Sequence, residues 1–378
     1  MKNELTLRQM AGLAAIVALI GLAAVSCDNA TTANGAIYHT VSFHTDGSGV
    51  PPAQVRHGYP AAEPEQDPTR GSYAFAGWYV AASGGAAFDF GVPITGNTTV
   101  YARWIAPYPT LEAEISAGIT LEMNWILAGA FTMGQAGVAT PEREVTLTRG
   151  FYMGIHPVTQ EQFHAVMGHN PSGFSGSPAS GEAQGRRPVE MVNWYHAIAF
   201  ANLLSIQQGL EPAYHVAGVN WEALMFADVP TSRDDDWDAA TVNWNAGGFR
   251  LATEAEWEFA ARAGTATQWS FGDTDDDIDY YAWTNRNSNG MTREAGRLRS
   301  NAWGLYDMHG NVWEWVWDRF GAFDANPATN PTGAAAGGSR VVRGGSWVDA
   351  PELARSAFRF DGLPVFRFSV LGFRVVRP

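Results

Sequence analysis

The sequence of 378 residues contains a single cysteine, Cys27, and few basic residues. One thiol excludes an intramolecular disulfide, a zinc site built from cysteines and a catalytic pair of thiols. Lysine and arginine number 24 against 38 acidic residues, a formal net charge of −14. Nucleic-acid binding needs a basic face, so we expect no nucleic-acid partner. Glycine (41) and tryptophan (15) are in excess, which favours a fold rich in loops and aromatic anchors.

The N-terminus carries a short apolar run over residues 10–25. A membrane span needs about 20 apolar residues, so the run is typical of a secretory signal peptide, here residues 1–26. It ends in Ala-Val-Ser-Cys, which resembles the bacterial lipobox, whose cysteine is lipidated and becomes the new N-terminus. The resemblance implies a lipid anchor at Cys27 that holds the protein in the cell envelope, on the outer surface. A plain signal peptide with an incidental cysteine is the alternative.

The next part of the chain predicts a tether and a small β module. Most of residues 28–38 are small and polar, as in flexible tethers, so a tether is predicted at 27–38. From 39 to 105, alternating apolar residues predict two strands around a proline-rich segment. With Phe-Ala-Gly-Trp-Tyr at 75–79, this part resembles the B-repeat of internalins, a β-grasp-like module, which implies a surface spacer or a weak adhesin. A linker is predicted at 106–120, before a large domain at 121–378.

The large domain shows clear helix signals among many loops. Thr159 and Thr253 each open a capping box, and Gly168 and Gly264 are the expected stops of the two helices. Apolar residues at helical spacing predict a third helix over 194–206. The remaining sequence is loops and short strand-like pieces, so the composition favours an irregular α+β fold.

Five motifs of the large domain are typical of one family. They are Ala128–Gly134, Phe249–Glu258, Asn301–Trp315, Arg343–Trp347 and Gly372–Arg374. Together they resemble the formylglycine-generating enzyme, or sulfatase-modifying factor, family, which implies a C-type-lectin-like fold over residues 121–378. These enzymes bind copper with a cysteine pair that follows the Gly-Gly-Ser-aromatic motif, and residues 348–359 contain no cysteine. We therefore predict that the chain is not an enzyme; a copper-independent modifying enzyme and a purely structural pseudoenzyme are the alternatives.

The same resemblance implies a structural calcium site within the third motif. Its ligands would be Asp307, the carbonyls of Gly310 and Val312, and Glu314. Two carboxylates and two carbonyls within eight residues suit a hard cation that prefers oxygen ligands. The alternative is that the two carboxylates only hydrogen-bond the loop backbone.

Residues 343–377 divide into scaffold positions and positions that can change. This layout resembles the variable region of proteins diversified by diversity-generating retroelements, which share the C-type lectin fold and include surface lipoproteins. The changeable positions are Val348, Asp349, Leu353, Phe358, Phe360, Asp361, Gly362, Leu363, Val365, Phe366, Phe368, Ser369 and Val370. Their variable codons would have the form N-N-C, which excludes Lys, Glu, Gln, Met and Trp, and all thirteen residues obey that rule. We add Trp347 to the expected ligand contacts.

The aromatic residues of this segment allow two arrangements. Four phenylalanines alternate with two arginines near a period of two, namely Phe358, Phe360, Phe366 and Phe368 with Arg359 and Arg367. Either the phenylalanines are buried and the arginines face solvent, or the arginines are held inside by backbone and carboxylates while the phenylalanines surround a ligand site. The lectin-like resemblance favours the second arrangement.

Taken together, these features predict a surface-displayed, monomeric lipoprotein that recognises an unknown protein or other surface ligand through its C-terminal segment. The phenylalanines and aliphatic residues favour an apolar or mixed protein surface over a phosphate or a sugar.

Overall fold

The computed structural model describes residues 31–33, 36–45, 49–68, 74–82, 85–105 and 109–378. The signal peptide and Cys27 lie outside these residues, so lipidation stays a prediction. In the described ranges, no helix has the length and apolar character that a membrane crossing requires. The chain divides into two units, a small one that ends at Arg103 and a large one that runs from Trp104 to Pro378 and also includes the short stretch 71–76.

The small unit is a five-stranded sheet. Its strands are β1 (Thr31–Ala33), β2 (Ala36–His44), β3 (Ala53–Arg56), β4 (Ala74–Tyr79) and β5 (Thr98–Ile105). The order is β1-β2-β5-β4, with β3 also paired to β2. Strands β2 and β5 run parallel, and Val41, Val100 and Trp78 are buried. The alternating residues therefore form strands with one buried face, as predicted.

The predicted tether at 27–38 is wrong in its second half. Strand β1 pairs with β2 in antiparallel register, with Thr31 opposite Tyr38 and Ala33 opposite Ala36. Backbone pairing places β1 in the sheet although its residues, Thr31, Thr32 and Ala33, are all small. The sequence pattern missed this strand because β1 has no apolar alternation of its own.

The large unit is an α+β fold with few helices, as predicted. Its strands are β6 (Thr110–Ser116), β7 (Ile119–Ile126), β8 (Gly129–Gln135), β9 (Ala139–Leu147), β10 (Phe151–Gly154), β11 (Tyr214–His215), β12 (Thr241–Val242), β13 (Arg250–Leu251), β14 (Trp313–Arg319), β15 (Ala328–Thr329), β16 (Arg340–Arg343), β17 (Arg359–Gly362), β18 (Leu371–Phe373) and β19 (Val375–Arg377). Its α-helices are α1 (Gln160–Met167), α2 (Trp194–Gln207), α3 (Asp235–Asp238), α4 (Glu254–Arg262) and α5 (Ile278–Tyr281). Single 3₁₀ turns cover Gln184–Arg186, Trp221–Ala223, Phe226–Asp228 and Pro351–Ala354.

Two sheets position the C-terminal segment within this unit. One has the order β13-β19-β10-β7-β6, and the other has the order β17-β16-β14-β18. Strands β17, β18 and β19 come from the last twenty residues, so the C-terminal segment contributes to both sheets. A third sheet, β15-β9-β8, and the pair β11-β12 complete the described strands.

The predicted linker at 106–120 is wrong from Thr110 onwards. Strand β6 pairs with β7, with Ala113 opposite Leu121, and a turn at Gly118 joins them. Ala113 and Ile115 are buried while the glutamates beside them are exposed. This alternation is visible in the sequence, and it shows that residues 110–120 are part of the large unit and not a linker before it.

The helix signals are confirmed with one adjustment. Thr159 forms a complete capping box at the start of α1, and Gly168 ends that helix in the left-handed conformation. Thr253 does the same at the start of α4, but Ala263 takes the left-handed position, one residue before the expected Gly264. Helix α2 covers Trp194–Gln207, close to the predicted 194–206.

Candidate functional site

The C-terminal segment runs through the second sheet and returns as an exposed loop. Strand β17 pairs antiparallel with β16, and β18 pairs parallel with β14, with Trp313 opposite Leu371. Residues 363–370 connect β17 to β18. The segment is therefore held at both ends by strands of the core sheet, and the positions between those ends form one surface.

Two arginines of the segment, Arg343 and Arg359, are held inside by glutamates. Buried Arg343 donates to Glu258 and to the carbonyls of residues 356–358. Arg359 makes a two-pronged pair with Glu254, at 2.7 Å for both hydrogen bonds. Charge-assisted bonds of this bidentate kind are strong and fix the geometry of both partners. For Arg359 the predicted inward arrangement is confirmed, whereas Arg367 is half-buried and has no carboxylate partner among the described residues.

The phenylalanines point outward in the same segment. Phe360, Phe366 and Phe368 have 57%, 37% and 50% of their surfaces exposed, and Phe358 is half-buried. Two aliphatic side chains of the segment are also exposed, Val348 and Leu363. We call the five exposed apolar residues the C-terminal face: Val348, Phe360, Leu363, Phe366 and Phe368. The buried arrangement of the phenylalanines is excluded for three of the four.

Trp313 on β14 lies beneath this face. Its ring contacts those of Phe358 and Phe360, with centroids 6.0 and 6.1 Å apart. Its indole N–H donates to the Asp349 carboxylate at 2.8 Å. In the sequence, Trp313 stood out only as part of a family motif. Its alternation with Trp315 on one strand was the available signal that it lies under the surface.

Donors outside the loop hold the main chain of residues 363–370. The contacts are Trp194 N to Pro364 O (3.0 Å), Met191 N to Phe368 O (3.1 Å), Trp313 N to Val370 O (2.7 Å) and Trp347 Nε1 to Ser369 O (2.9 Å). Because these bonds use backbone acceptors, they do not depend on the side chains that the loop presents. The loop can keep its path while its exposed side chains differ.

The structure corrects one changeable position. Gly362 is buried, and a Cβ atom there would lie 2.6 Å from Cη2 of Trp315. The indole of Trp315 is itself fixed, because its N–H donates to the carbonyl of Val192. Any side chain at position 362 would collide with it, so Gly362 belongs to the scaffold.

The remaining predicted contacts differ in exposure. Asp361 is exposed, and the half-buried positions are Trp347, Asp349, Leu353, Phe358, Val365, Ser369 and Val370. The carboxylate of Asp349 accepts from Ser346 as well as from Trp313, and Trp347 packs on Phe174 at 5.2 Å. These contacts give Asp349 and Trp347 a positioning role within the scaffold.

Both carboxylates of the predicted calcium site accept hydrogen bonds from the protein itself. Both oxygens of Glu314 accept from Arg374 at 2.7 Å, and the indole of Trp257 donates to one of them at 2.7 Å. Asp307 accepts from the amide of Gly296, and burial raises the pKa of its carboxyl to about 6. A carboxylate paired with a guanidinium is a poor calcium ligand, so Glu314 does not fit the site. No group of three or more His, Cys, Asp or Glu in the described ranges is placed to hold a metal ion.

Gly310 and Val312, the other two predicted ligands, lie in the same buried loop. The amide of Gly310 donates to the carbonyl of Gly344, and Val312 is fully buried. These contacts do not test calcium binding, which stays a prediction that the geometry of Glu314 disfavours.

Comparison with known families identifies the large unit. Residues 109–378 match the sulfatase-modifying factor enzyme 1-like domain. The chain belongs to the sulfatase-modifying factor enzyme 1-like family. Residues 39–103 match the Listeria-Bacteroides repeat domain, in agreement with the repeat predicted for this part of the chain.

Similar proteins within this sulfatase-modifying factor-like family differ in their descriptions. The solved structure of Treponema denticola variable protein 1 superposes with a TM-score of 0.69 at 42% identity, covering 71% of this chain and 99% of that one. Chaperone protein LppX of Paenibacillus barcinonensis is 33% identical over 68% of this chain and 91% of its own length. Inactive C-alpha-formylglycine-generating enzyme 2 of Bos taurus is 28% identical, over 69% of this chain and 89% of its own. The family therefore includes variable and inactive members, and the predicted likeness to variable proteins is confirmed.

Proposed function

We propose that this protein is a surface-displayed lipoprotein that binds ligands through its C-terminal face and does not catalyse a reaction. The observation that carries the proposal is the combination of exposed apolar side chains with a main chain held from outside the loop. Phe360, Phe366 and Phe368 are exposed, while the backbone that bears them is hydrogen-bonded to the scaffold.

Exposed apolar clusters on soluble proteins mark interaction sites, and aromatic residues supply much of the energy of recognition. A backbone that is already ordered loses little entropy on binding, which favours affinity. Variable side chains on a rigid scaffold are also how antibody loops achieve recognition.

A direct test uses peptides selected against the full chain. Peptides enriched from a displayed random library on the wild-type protein should lose binding to a triple variant, Phe360→Ser with Phe366→Ser and Phe368→Ser. The matched control is Leu127→Ser, which removes an exposed apolar side chain that is not part of the C-terminal face. If the peptides bind the triple variant as well as they bind wild type, the C-terminal face is not the binding site.

Diversification of the face has its own test in the DNA. Sequencing beside the gene should find a near-copy of the segment that encodes 343–377, with asparagine codons at the changeable positions. The burial of Gly362 sharpens this expectation, since its codon should not be an asparagine codon in the copy. The idea fails if asparagine codons fall on Gly362 or on the buried Arg343 and Arg374.

The absence of catalysis is supported by the composition of the large unit. The one cysteine of the chain is Cys27, so residues 109–378 contain none of the thiolates that the family's enzymes use for copper. Incubation with a peptide that carries the sulfatase-type cysteine, with copper and oxygen, should leave the peptide mass unchanged. Conversion to an aldehyde would support the alternative, a modifying enzyme with another site.

The anchor part of the proposal rests on Cys27 and its neighbours. Several acyl chains on one cysteine would hold the protein firmly on a membrane, with the repeat of residues 39–103 as a spacer. Labelling cells with a palmitate analogue should mark the wild type and not Cys27→Ser. Equal labelling of both proteins would leave a plain signal peptide as the interpretation.

A further inference from the structure

Strand β17, which carries Phe360 of the C-terminal face, is the edge of its sheet. In the order β17-β16-β14-β18 it pairs on one side only, with β16. An edge strand turns the amide and the carbonyl of every second residue away from its partner strand. Across the described ranges, which have gaps before residue 109, no group outside β16 is hydrogen-bonded to the main chain of Arg359–Gly362. The outer side of β17 therefore offers main-chain donors and acceptors that the protein itself does not use.

The opposite edge of the same sheet is closed. The carbonyl of Phe373 on β18 accepts from the amide of Val158 at 2.9 Å, and all three residues of β18 are buried. On β17, Phe360 and Asp361 are both exposed. Because neighbouring side chains of a strand point to opposite faces, the middle of β17 is open to solvent on both faces.

The open edge is held in place by the scaffold. Arg359, at the start of β17, is bound in a bidentate way by Glu254 of α4. Gly362, at its end, is buried against the ring of Trp315. The partner strand β16 is buried along its whole length. A strand that is already fixed at both ends loses little conformational entropy when a ligand pairs with it.

These features favour an extended peptide segment over other occupants of the edge. Unpaired amides and carbonyls in a strand are matched by another strand, whose main chain has the same spacing of donors and acceptors. A second copy of this chain is disfavoured, because each copy carries a formal net charge of −14 and an exposed Asp361 on the strand itself. An added strand would lie about 4.8 Å from β17, so one of its side chains would pack beside Phe360.

We infer that the ligand is a protein with an extended segment that pairs with the outer edge of β17 and places an apolar side chain beside Phe360. This inference rests on the proposed function and names the form of the ligand. Main-chain hydrogen bonds would supply affinity, and the side chains of the C-terminal face would supply specificity. Phe360 and Asp361 are changeable positions, whereas the main chain that bears them is not. Diversification would then alter which segments bind without removing the pairing that all of them share.

Peptides with single N-methyl groups test the pairing directly. The probes are the peptides enriched on the full-length wild-type protein, resynthesised with an N-methyl group at one residue at a time. A methyl group on an amide that pairs with β17 removes a hydrogen bond and blocks the approach of the strand, so binding should weaken by about tenfold or more. A methyl group on the next amide, which points to solvent, should change binding by less than about twofold. Sensitivity should therefore alternate along the peptide with a period of two.

Hydrogen exchange locates the pairing on the protein. With an enriched peptide at saturation, the outward amides of Arg359–Gly362 should exchange more slowly by about tenfold or more. The matched control is β6 (Thr110–Ser116), which is an edge strand of the other large sheet and should show unchanged exchange.

The outcomes separate this inference from the proposed function. If no peptide is enriched, or if the peptides bind the triple serine variant as tightly as wild type, both are overturned. Peptides that lose binding to the triple variant, yet show no alternation and leave the exchange of the β17 amides unchanged, would overturn the inference alone. So would slower exchange of these amides at rising protein concentration without peptide, which would assign the edge to a second copy.

Discussion

Arg374 and Glu314 form a buried bidentate ion pair, with Nε–Oε2 and Nη2–Oε1 distances of 2.7 Å and both side chains 1% exposed. Arg374 lies between β18 and β19, and Glu314 lies on β14, the strand beneath the C-terminal face. The pair therefore joins the end of the C-terminal segment to that strand. It also uses the carboxylate that sequence analysis assigned to calcium. The pair therefore ties the scaffold of the face to the core.

Breaking this pair should destabilise the fold strongly. Glu314→Gln keeps the shape of the side chain but leaves Arg374 buried without a counter-charge, which costs about 3–5 kcal/mol. Urea unfolding measures the loss. Arg233→Gln is the control, because Arg233 pairs with Asp235 in an exposed position and should cost less than about 1 kcal/mol. If the free energy of unfolding falls equally little in both variants, the buried pair of Arg374 and Glu314 contributes little to the stability of the fold.

A methyl group at position 362 should also destabilise the protein. In Gly362→Ala the new Cβ would lie 2.6 Å from the fixed ring of Trp315, and overpacking of this kind costs about 1–3 kcal/mol. Gly338→Ala is a matched control, since nothing lies within 4 Å of a Cβ at that glycine. Thermal unfolding of the two variants should differ clearly; a melting temperature for Gly362→Ala equal to that of wild type would restore Gly362 as a changeable position.

Removal of the exposed phenylalanines should leave the fold intact. The triple variant Phe360→Ser, Phe366→Ser and Phe368→Ser removes side chains that the core does not use, so its free energy of unfolding should fall by less than about 1 kcal/mol. Phe373→Ala, at a fully buried ring that packs on Phe200, should lose about 3–5 kcal/mol. A large loss in the triple variant would assign the phenylalanines to the core after all.

Acid should destabilise the large unit through His156. Burial lowers the pKa of this ring to about 4, below its value near 6.5 in the unfolded chain. The unfolded state therefore takes up a proton first, and stability that is complete above about pH 6.5 is lost as the pH falls towards 4. Between pH 7.5 and 5 the ring accounts for a loss of about 2 kcal/mol.

The variant His156→Gln isolates this effect. Urea unfolding at pH 7.5 and pH 5 should show a smaller loss in His156→Gln than in wild type. His164→Gln, at an exposed histidine, should show the same loss as wild type. If His156→Gln loses as much stability as wild type, the ring is protonated equally in both states.

Local signals in the sequence predicted local structure well. The capping boxes at Thr159 and Thr253 depend on contacts three residues apart, so they can be found without knowledge of the fold. The predicted linker at 106–120 was wrong although Ala113 and Ile115 alternate with glutamates. A short strand at the edge of a sheet gives a weak pattern, and only its pairing with β7 makes it unambiguous.

The candidate site was predictable in outline and not in detail. Exposure of Phe360, Phe366 and Phe368 followed from the family-like arrangement of the segment. Burial of Gly362 did not, because the ring that excludes a side chain there belongs to Trp315, which comes from another strand. Contacts between residues so far apart in the sequence have no local signature.

The sequence by itself determined the family, through motifs whose residue types and order are specific, and it placed the single cysteine outside the large unit. Only the tertiary structure decided which arginines are satisfied. Arg359 and Arg374 find glutamates 105 and 60 residues away, on α4 and β14, whereas Arg367 follows the same alternation and finds none in the described chain. The physical reason is that a buried guanidinium needs a carboxylate at a fixed place in space, and that place is set by the packing of distant elements.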